Sequence, residues 1–387
     1  MDLSLTEEQR MIVDLVQRYV CEEITPLEDK LDPDADELPK EDFDRLVATT
    51  QAMGLYGLDT PPEYGGPDID LVTRTLIAME STQHRAGLYV PCYSTFGGAR
   101  QAQLFEASAA QKERYLYPML RGEKRVFFGL SEPSGGSDPG RAIQTRAVRD
   151  GDEWVINGSK LWISGADRAD YGLLFARTGG PGRNGVTCFI VETAWEGFNV
   201  ARIVHTLRSS KYATEIHLDN LRVPHENILG EEGGGFAIAN DRLSRQRIPY
   251  AAECVGVAIK AHAMAVEYSK LRATFGATLS SRQGIQWMLV ENEIDIRSMR
   301  WLVLDAAAKA DRGEPFRTES AIAKLQCSEL AFKVVDRSMQ IHGGLGVAKD
   351  LPFERWFREM RIRRIGEGPS EVQKHIIARD ILGAGLR

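Results

Sequence analysis

The residue best placed to do chemistry in this chain is Glu367, a carboxylate that stands between Gly366 and Gly368 near the C-terminus. Glycines on both sides of an acid let the backbone approach a ligand closely while the carboxylate reaches a reacting atom. The segment immediately precedes a run that predicts a helix. An ordinary solvated glutamate in a helix-start loop would explain the same residues. A catalytic base is therefore a hypothesis that needs support from the rest of the chain.

A second candidate is the segment from Phe128 to Asp138, which is dense in glycine and hydroxyl residues. Backbone amides in such a loop can come close to a planar heterocycle or a phosphate. The glycines lack the GxGxxG spacing, and no βαβ unit surrounds them, so the segment is not a dinucleotide fingerprint. A solvent-exposed turn is the alternative interpretation.

Further segments carry side chains suited to a flat, charged cofactor. Trp162 follows a strand-like run and could stack on such a group while Ser164 bonds its edge, although a core tryptophan is the alternative. Arg272, near a chain reversal that contains Phe275, suits a pyrophosphate beside an aromatic surface. An arginine that pairs with helix-end carbonyls is equally consistent. The two glycines that follow soon after Gln340 fit a helix C-cap as well as a ligand contact.

Helical elements flank these segments on both sides. Residues 1–122 show helical periodicity, and Thr6 with Gln9 predicts a capping box at the start of the first helix. Residues 236–387 return to long helical patterns of the kind that pack into a bundle. A chain of 387 residues is long for a single hydrophobic core, so several subdomains are expected.

The region between them, residues 123–235, predicts a compact β domain. Short β-rich runs alternate there with glycine and proline. The pair Asn157-Gly158, between two such runs, predicts a tight hairpin turn. The sequence therefore predicts an α+β fold in which a small β domain separates two helical domains.

Composition restricts the partners and the compartment. There are 48 basic and 55 acidic residues, so nucleic acid is not expected as the main partner. Neither a membrane span nor a secretory signal is expected, because no long apolar run occurs and the first residues lack a basic segment followed by an apolar one. The five cysteines are odd in number and far apart, which indicates reduced thiols in a cytoplasmic protein rather than a disulfide framework or a metal site.

Taken together, in this order and spacing, these segments resemble the acyl-CoA dehydrogenase family. The resemblance covers essentially the whole chain, and it implies an N-terminal α-helical domain, a central small β domain and a C-terminal four-helix bundle. The matching motifs are LSEPxxGSD at 130–138, KxWIS at 160–164, RxxFG at 272–276, QxxGG at 340–344 and xEGxSE at 366–371.

The resemblance implies one FAD per subunit, bound across a subunit interface in a homotetramer that is a dimer of dimers. The positions expected around the flavin and its ribityl chain are Phe128, Leu130, Ser131, Ser137, Trp162 and Ser164. The positions expected at the adenine-side half are Arg272, Phe275, Gln283, Gln340 and Gly344. The positions expected near the substrate are Ser137, Arg247, Gly366 and Gly368, with Glu367 as the catalytic base.

The implied reaction is the α,β-dehydrogenation of an acyl-CoA thioester to a trans-2-enoyl-CoA. Glu367 would take the α-proton while the β-hydride moves to flavin N5, and the electrons would pass to an electron-transfer flavoprotein. The thioester oxygen would be bound by the backbone N–H of Glu367 and by a ribityl hydroxyl. Some branches carry the base at the position of Gln246, where an amide cannot serve. A flavin-dependent acyl-CoA oxidase and a non-catalytic scaffold that binds acyl-CoA or FAD are the alternatives.

Departures from the family pattern bear on the substrate. Pro369 stands where threonine is common, and Gly366 stands where a bulkier residue, often tyrosine, is common. The second change predicts a wider pocket beside the base. The departures together leave the acyl chain length open and favour short, branched or cyclic acyl groups. Residues 207–214 match the family's usual loop poorly. Arg85 could bind the second carboxylate of a dicarboxyl-CoA, but its spacing favours a surface role.

Overall fold

The computed structural model describes residues 5–35, 38–85, 95–96, 102–208 and 213–383. The chain forms two compact units. The first contains Met1–Arg100, Leu207–Ser210 and Ser244–Arg387, and the second contains Gln101–Thr206 and Lys211–Leu243. The domain bounds expected after residues 122 and 235 stay predictions.

The first unit opens with helices whose starts are fixed by local side chains. The backbone N–H of Gln9 donates to Thr6 Oγ1 at 3.1 Å, and that of Thr6 donates to Gln9 Oε1 at 3.2 Å, which confirms the capping box. The helices are α1 (Glu7–Tyr19), α2 (Thr25–Glu28), α3 (Lys40–Ala52) and α4 (Leu71–Ser81), and a π-helical turn at Val20–Ile24 joins the first two. Fully buried Val16, Leu46 and Ile77 form part of their core.

The second unit is built on a sheet. Its short helices are α5 (Ala109–Gln111), α6 (Tyr117–Leu120) and α7 (Pro139–Ala142), and a π-helical turn at Lys112–Leu116 joins the first two. Its strands are β1 (Val126–Gly129), β2 (Arg146–Asp150), β3 (Glu153–Ser164), β4 (Tyr171–Arg177), β5 (Val186–Glu192), β6 (Phe198–Val204), β7 (Ala213–Pro224) and β8 (Ile228–Leu229). They pair in the order β6-β7-β3-β2-β4-β5-β8, and β1 runs parallel beside β4.

The hairpin predicted at Asn157-Gly158 is wrong, because β3 continues through both residues as one strand. The pair instead forms a bulge against β7, where the register shifts between Ile156 and Gly158. Gly158 has a φ of 151°, and a Cβ there would lie 2.6 Å from Thr145 Oγ1. Pairing with strands on both sides keeps the segment extended, and the glycine serves a close approach rather than a turn.

The C-terminal part of the chain confirms the predicted long helices. The elements are α8 (Gly235–Leu271), a hairpin of β9 (Ala273–Thr274) and β10 (Ala277–Thr278), then α9 (Gln283–Asp311), α10 (Arg317–His342), α11 (Gly344–Val347), α12 (Phe353–Arg363) and α13 (Ser370–Leu382). Buried Val255, Met299, Val334 and Trp356 belong to one core of the first unit. Within the part of the chain that the structure describes, no helix is long and apolar enough to cross a membrane.

Gly256 marks the closest approach of α8 to the end of α4. A Cβ at this position would lie 2.1 Å from the carbonyl oxygen of Met79 and 2.2 Å from Thr82 Oγ1. The same contact is held by the Thr82 hydroxyl, which donates to the carbonyl of Glu253 at 3.2 Å. Only a glycine lets the two backbones pack this closely.

We expect Gly256→Ala to lower the free energy of unfolding by about 1–3 kcal/mol, because the new methyl group overlaps backbone atoms that cannot move freely. Gly284→Ala is the matched control, since no atom lies within 4 Å of a Cβ built there. In this helical position, alanine should raise the stability by roughly 0.5–1 kcal/mol. Chemical denaturation of both variants checks the pair, and equal effects would contradict the packing described for α4 and α8.

Candidate active site

Glu367 lies in the short connection between α12 and α13, in a conformation that few side chains adopt. Its φ is 54°, in the left-handed region, and Gly368 follows with a φ of 90°. A left-handed non-glycine residue costs of order 1 kcal/mol and persists only where its surroundings hold it. Pro369 then stands at the N-cap of α13 with an extended backbone, so the connection ends at a fixed point.

Donors from three different helices hold the backbone of this connection. Lys324 Nζ on α10 donates to the carbonyl of Gly368 at 2.8 Å. Gln373 Nε2 on α13 donates to the same carbonyl at 2.8 Å and to that of Glu367 at 3.2 Å. Arg247 Nε on α8 donates to the carbonyl of Glu367 at 3.4 Å. These contacts fix the main chain that carries the carboxylate, and they bring together Arg247, Glu367 and Gly368, three of the positions expected near the substrate.

The surroundings of Glu367 are rich in buried positive charge. Lys324 is fully buried, and its burial lowers its pKa to about 8. Arg247 is 3% exposed, and burial lowers its pKa to about 10 although the charge of Glu367 acts in the opposite direction. Both side chains are still protonated at neutral pH. Their charges favour an anion that forms beside Glu367.

The space that a side chain at Gly366 would occupy is already filled, and the wider pocket expected beside the base stays a prediction. A Cβ there would lie 2.6 Å from Tyr250 Oη, so the phenol of a residue on α8 fills that space. The Tyr250 ring is packed under Arg363, whose Cζ lies 4.0 Å from the ring centroid. Arg363 in turn donates to Glu253 Oε2 at 2.5 Å within the buried core.

In the second unit, the segment Phe128–Asp138 is anchored by a buried ion pair. Lys160 Nζ on β3 donates to Glu132 Oε1 at 2.7 Å, and Glu132 Oε2 accepts from the backbone N–H of Gln144 at 2.6 Å. Burial lowers the pKa of Lys160 to about 8. Burial acts to raise the pKa of Glu132, but the charge and hydrogen bond of Lys160 outweigh it and the pKa lies below its usual value.

Sequence reasoning missed Glu132, Lys160 and Lys324 as individual residues, although the first two stand inside the motifs it used. A charged side chain within an apolar pattern was the available signal. Lys324 in particular stands between Ala323 and Leu325, both of which are buried.

The predicted flavin-side residues lie around β1 and the end of β3. Leu130 is buried and Phe128 is half-buried, with the Arg242 guanidinium 4.1 Å from its ring centroid. The backbone N–H of Leu161 donates to the carbonyl of Ser131 at 3.0 Å, which joins β3 to this segment. The side chains of Ser137 and Ser164 are exposed.

Among the residues expected beside the flavin, Trp162 has the conformation that points most clearly to a ligand. The register between β3 and β7 shifts between Leu161 and Ile163, and Trp162 at this bulge has a φ of 65°. Its side chain is 57% exposed. A tryptophan in a left-handed conformation with its ring in solvent is unfavourable for the free chain, and it fits a surface on which a planar group stacks.

The residues expected at the adenine-side half of FAD lie near helix ends of the first unit. Phe275 and Gly276 connect β9 to β10 with φ values of 50° and 77°, and Phe275 is 99% exposed. Such two-residue turns favour asparagine or glycine at the first position, so a fully exposed phenylalanine there indicates a binding contact. The side chains of Arg272, Gln283 and Gln340 are exposed, and so is Gly344. These side chains are therefore accessible to a bound cofactor or to another subunit.

The contacts of Arg85 agree with a surface role rather than with binding of a second substrate carboxylate. Its guanidinium donates to the carbonyls of Lys349 at 3.1 Å and Asp350 at 2.7 Å. Half-buried Gln246 lies on α8, directly before Arg247.

Comparison with known proteins identifies the family to which this architecture belongs. Family models described as the N-terminal, middle and C-terminal domains of acyl-CoA dehydrogenase match residues 6–123, 127–221 and 233–382. A short-chain specific acyl-CoA dehydrogenase of Clostridium acetobutylicum is 36% identical over 98% of this chain and 99% of its own length. The chain belongs to the acyl-CoA dehydrogenase family. It is an acyl-CoA dehydrogenase-like oxidoreductase with helical N-terminal, central β and helical C-terminal domains.

Two other members of the acyl-CoA dehydrogenase family show the range of this similarity. A 3-(aryl)acrylate reductase of Clostridium sporogenes is 37% identical over 98% of this chain and the whole of its own. The solved structure of butyryl-CoA dehydrogenase from Megasphaera elsdenii aligns with a TM-score of 0.86 and 32% identity, over 99% of this chain and the whole of the other. The family is FAD-dependent and binds acyl-CoA.

Lys324 holds the carbonyl of Gly368, next to the predicted base Glu367. We therefore expect Lys324→Met to slow the reduction of bound FAD by an acyl-CoA about tenfold to hundredfold, because a base displaced by a fraction of an ångström loses its alignment. Lys309→Met, which removes a peripheral ion pair with Glu319, is the matched control.

The pH dependence of stability gives a second measurement of the role of Lys324. The folded chain binds fewer protons at Lys324 than the unfolded chain between pH 8 and 10.5, so the free energy of unfolding gains from rising pH in that window. The methionine variant should lose this gain, and an unchanged pH slope would contradict the assignment.

Proposed function

We propose that this protein oxidises an acyl-CoA thioester to a trans-2-enoyl-CoA, with Glu367 as the base that removes the α-proton. The observation that carries the proposal is the left-handed Glu367, whose backbone is held by Arg247, Lys324 and Gln373. A fold keeps such a conformation where positioning of the side chain matters.

The residues around Glu367 suit the abstraction of a weakly acidic proton. The α-proton of a thioester needs stabilisation of the enolate that forms when it leaves. The backbone N–H of Glu367 is the donor that we assign to the thioester oxygen. The charges of Arg247 and Lys324 lower the energy of the same anion, since they are buried and act through a medium that screens them weakly.

FAD, when bound, supplies the acceptor for the β-hydride and later releases the electrons. We assign its flavin side to Phe128, Leu130, Ser131, Ser137, Trp162 and Ser164, and its adenine side to Arg272, Phe275, Gln283, Gln340 and Gly344. The exposed rings of Trp162 and Phe275 support this assignment, because each is held outward by a strained backbone. An electron-transfer flavoprotein is the proposed acceptor.

The same site can run in the opposite direction. The relative from Clostridium sporogenes is named as a 3-(aryl)acrylate reductase, and it is as similar to this chain as the short-chain dehydrogenase is. A residue that removes an α-proton also returns one to the α-carbon, by microscopic reversibility. Reduction of an enoyl group is therefore the second candidate function.

We further propose that the chain forms a homotetramer. Large apolar side chains line one stripe of α9 at helical spacing, and Trp287, Val290, Ile294 and Trp301 are 60%, 55%, 58% and 47% exposed. A row of exposed apolar side chains along a long helix is the pattern of a helix–helix interface. The fully exposed Phe275 precedes the same helix.

The direct test is anaerobic bleaching of the oxidised flavin band by saturated acyl-CoAs with straight, branched, cyclic, aromatic and dicarboxylic chains. Rapid bleaching by one class supports the dehydrogenase and identifies its acyl group. Reoxidation of the reduced protein by cinnamoyl-CoA or crotonyl-CoA tests the reductive direction. A colourless protein that cannot be reconstituted with FAD would refute the proposal.

We expect Glu367→Gln to keep its FAD and to reduce the rate of bleaching by several orders of magnitude, because an amide cannot accept the α-proton. Glu371→Gln is the matched control, since that glutamate is exposed in the first turn of α13. Stopped-flow absorbance of the two variants checks this. Near-normal bleaching by the Glu367→Gln variant would remove Glu367 from the role of base.

For the oligomer, Ile294→Asp should yield a smaller particle, because a charge at the centre of the stripe cannot be buried without a partner. Val148→Asp places the same change at an exposed valine of β2 and should leave the particle size unchanged. Light scattering coupled to size-exclusion chromatography measures both. A tetramer in the Ile294→Asp variant would show that this stripe is not the interface.

A further inference from the structure

The contact between Gly366 and Tyr250 determines the shape of the space next to the base. A Cβ at 366 would lie 2.6 Å from Tyr250 Oη but 3.6 Å from Tyr250 Cζ. The first distance is a clash and the second is an ordinary contact, so the hydroxyl alone excludes a side chain at 366. The backbone of Gly366 has no positive φ, so glycine is required there by space and not by conformation.

Buried charged groups hold the Tyr250 ring. Arg363 Cζ lies 4.0 Å from the ring centroid, and Lys324 Nζ lies 6.0 Å from it. Arg363 is itself bound to Glu253 in the core. Cations within about 6 Å of an aromatic face attract it, so the ring has little freedom to swing away from Gly366.

The Tyr250 hydroxyl has capacity for an external ligand. Among the residues that the structure describes, none accepts a hydrogen bond from it or donates one to it, and the side chain is half-buried. Burial raises the pKa of Tyr250 above its usual value although Arg363 opposes the shift, so the hydroxyl keeps its proton at neutral pH. The group is therefore a donor that lies beside position 366, one residue before the base.

The charges near this hydroxyl favour an electron-rich ligand atom. Lys324 makes no ion pair with a carboxylate within the described ranges, and its ammonium group bonds backbone carbonyls. A hydrocarbon chain against the hydroxyl would leave the donor unsatisfied, whereas an oxygen atom at the same place would satisfy it.

We propose that Tyr250 determines the specificity for the acyl group, and that the preferred substrates are acyl-CoA thioesters whose chain carries an oxygen acceptor near the carbons that react. The phenol takes the place of the side chain that Gly366 lacks, and its hydroxyl donates to a ketone, hydroxyl, ether or carboxylate oxygen of the acyl chain. This inference rests on the proposed function, because it assumes that Glu367 acts on an acyl-CoA.

The test compares acyl-CoAs that differ in their oxygen content: pentanoyl-CoA with levulinyl-CoA, and hexanoyl-CoA with adipyl-CoA. The rate of anaerobic flavin bleaching is measured as a function of concentration for the wild-type holoprotein and for Tyr250→Phe. In the wild type, at least one oxygenated member should exceed its partner by about tenfold to hundredfold in kcat/KM. In Tyr250→Phe this ratio should fall toward one.

Tyr268→Phe is the matched control, since Tyr268 lies on the same helix and stacks on His342 with ring centroids 4.4 Å apart. This variant should keep the wild-type ratio. A purely structural role of Tyr250 would slow both members of a pair equally and leave the ratio unchanged, which would overturn the inference.

The contact itself is tested without turnover. Gly366→Ala should lower the melting temperature of the holoprotein, and the double variant with Tyr250→Phe should recover most of that loss, because the clashing atom is gone. Additive effects in the double variant would show that the two positions do not touch.

The possible failures are distinguishable. If every acyl-CoA bleaches the flavin without regard to oxygen, this inference fails and the proposed dehydrogenase stands. If none bleaches it and no enoyl-CoA reoxidises the reduced flavin, both fail.

Discussion

In each unit, one candidate segment depends on a buried lysine that binds backbone carbonyls. In the first unit, Lys324 holds the carbonyl of Gly368, directly after the proposed base. In the second unit, Lys160 donates to the carbonyl of Phe175 at 2.5 Å and to Glu132 at 2.7 Å, and so anchors the segment that we assign to the flavin. Removing a lysine from water costs several kcal/mol, which these bonds must offset. Both segments are thereby fixed before any ligand arrives.

Lys160 and Lys324 differ in how their positive charge is compensated. This difference indicates that the two lysines have different roles. Lys160 is neutralised by Glu132, so the buried pair adds no net charge to the segment that it anchors. Lys324 has only carbonyl oxygens as hydrogen-bond acceptors among the described residues, and Arg247 adds a second positive charge near Glu367. The first arrangement suits a scaffold for a cofactor. The second suits a place where negative charge develops during a reaction.

Sequence patterns predicted what is local and missed what depends on distant neighbours. The capping box of α1 and the long helices were predicted because their signals lie within a few residues. The bulge at Gly158 was mistaken for a turn, since only the pairing of β3 with its neighbours distinguishes the two. Gly366 was expected to widen a pocket, and the atom that fills this space belongs to Tyr250, far away in sequence. No local pattern announces such a contact.

Backbone strain connects the fold to the proposed chemistry more directly than any motif does. Among the residues that the structure describes, the non-glycine residues with positive φ are Trp162, Asn220, Phe275 and Glu367. Asparagine tolerates this conformation, and Asn220 is explained by its hydrogen bonds with Asn157. Tryptophan, phenylalanine and glutamate have no comparable tolerance for this conformation, and each of the other three stands where the sequence predicted either a cofactor contact or the base. Strain of order 1 kcal/mol persists only where the surrounding structure holds it, as the donors from three helices do at Glu367. Such strain concentrates at sites that bind ligands, and this is why we assign these three positions to the cofactor and the substrate.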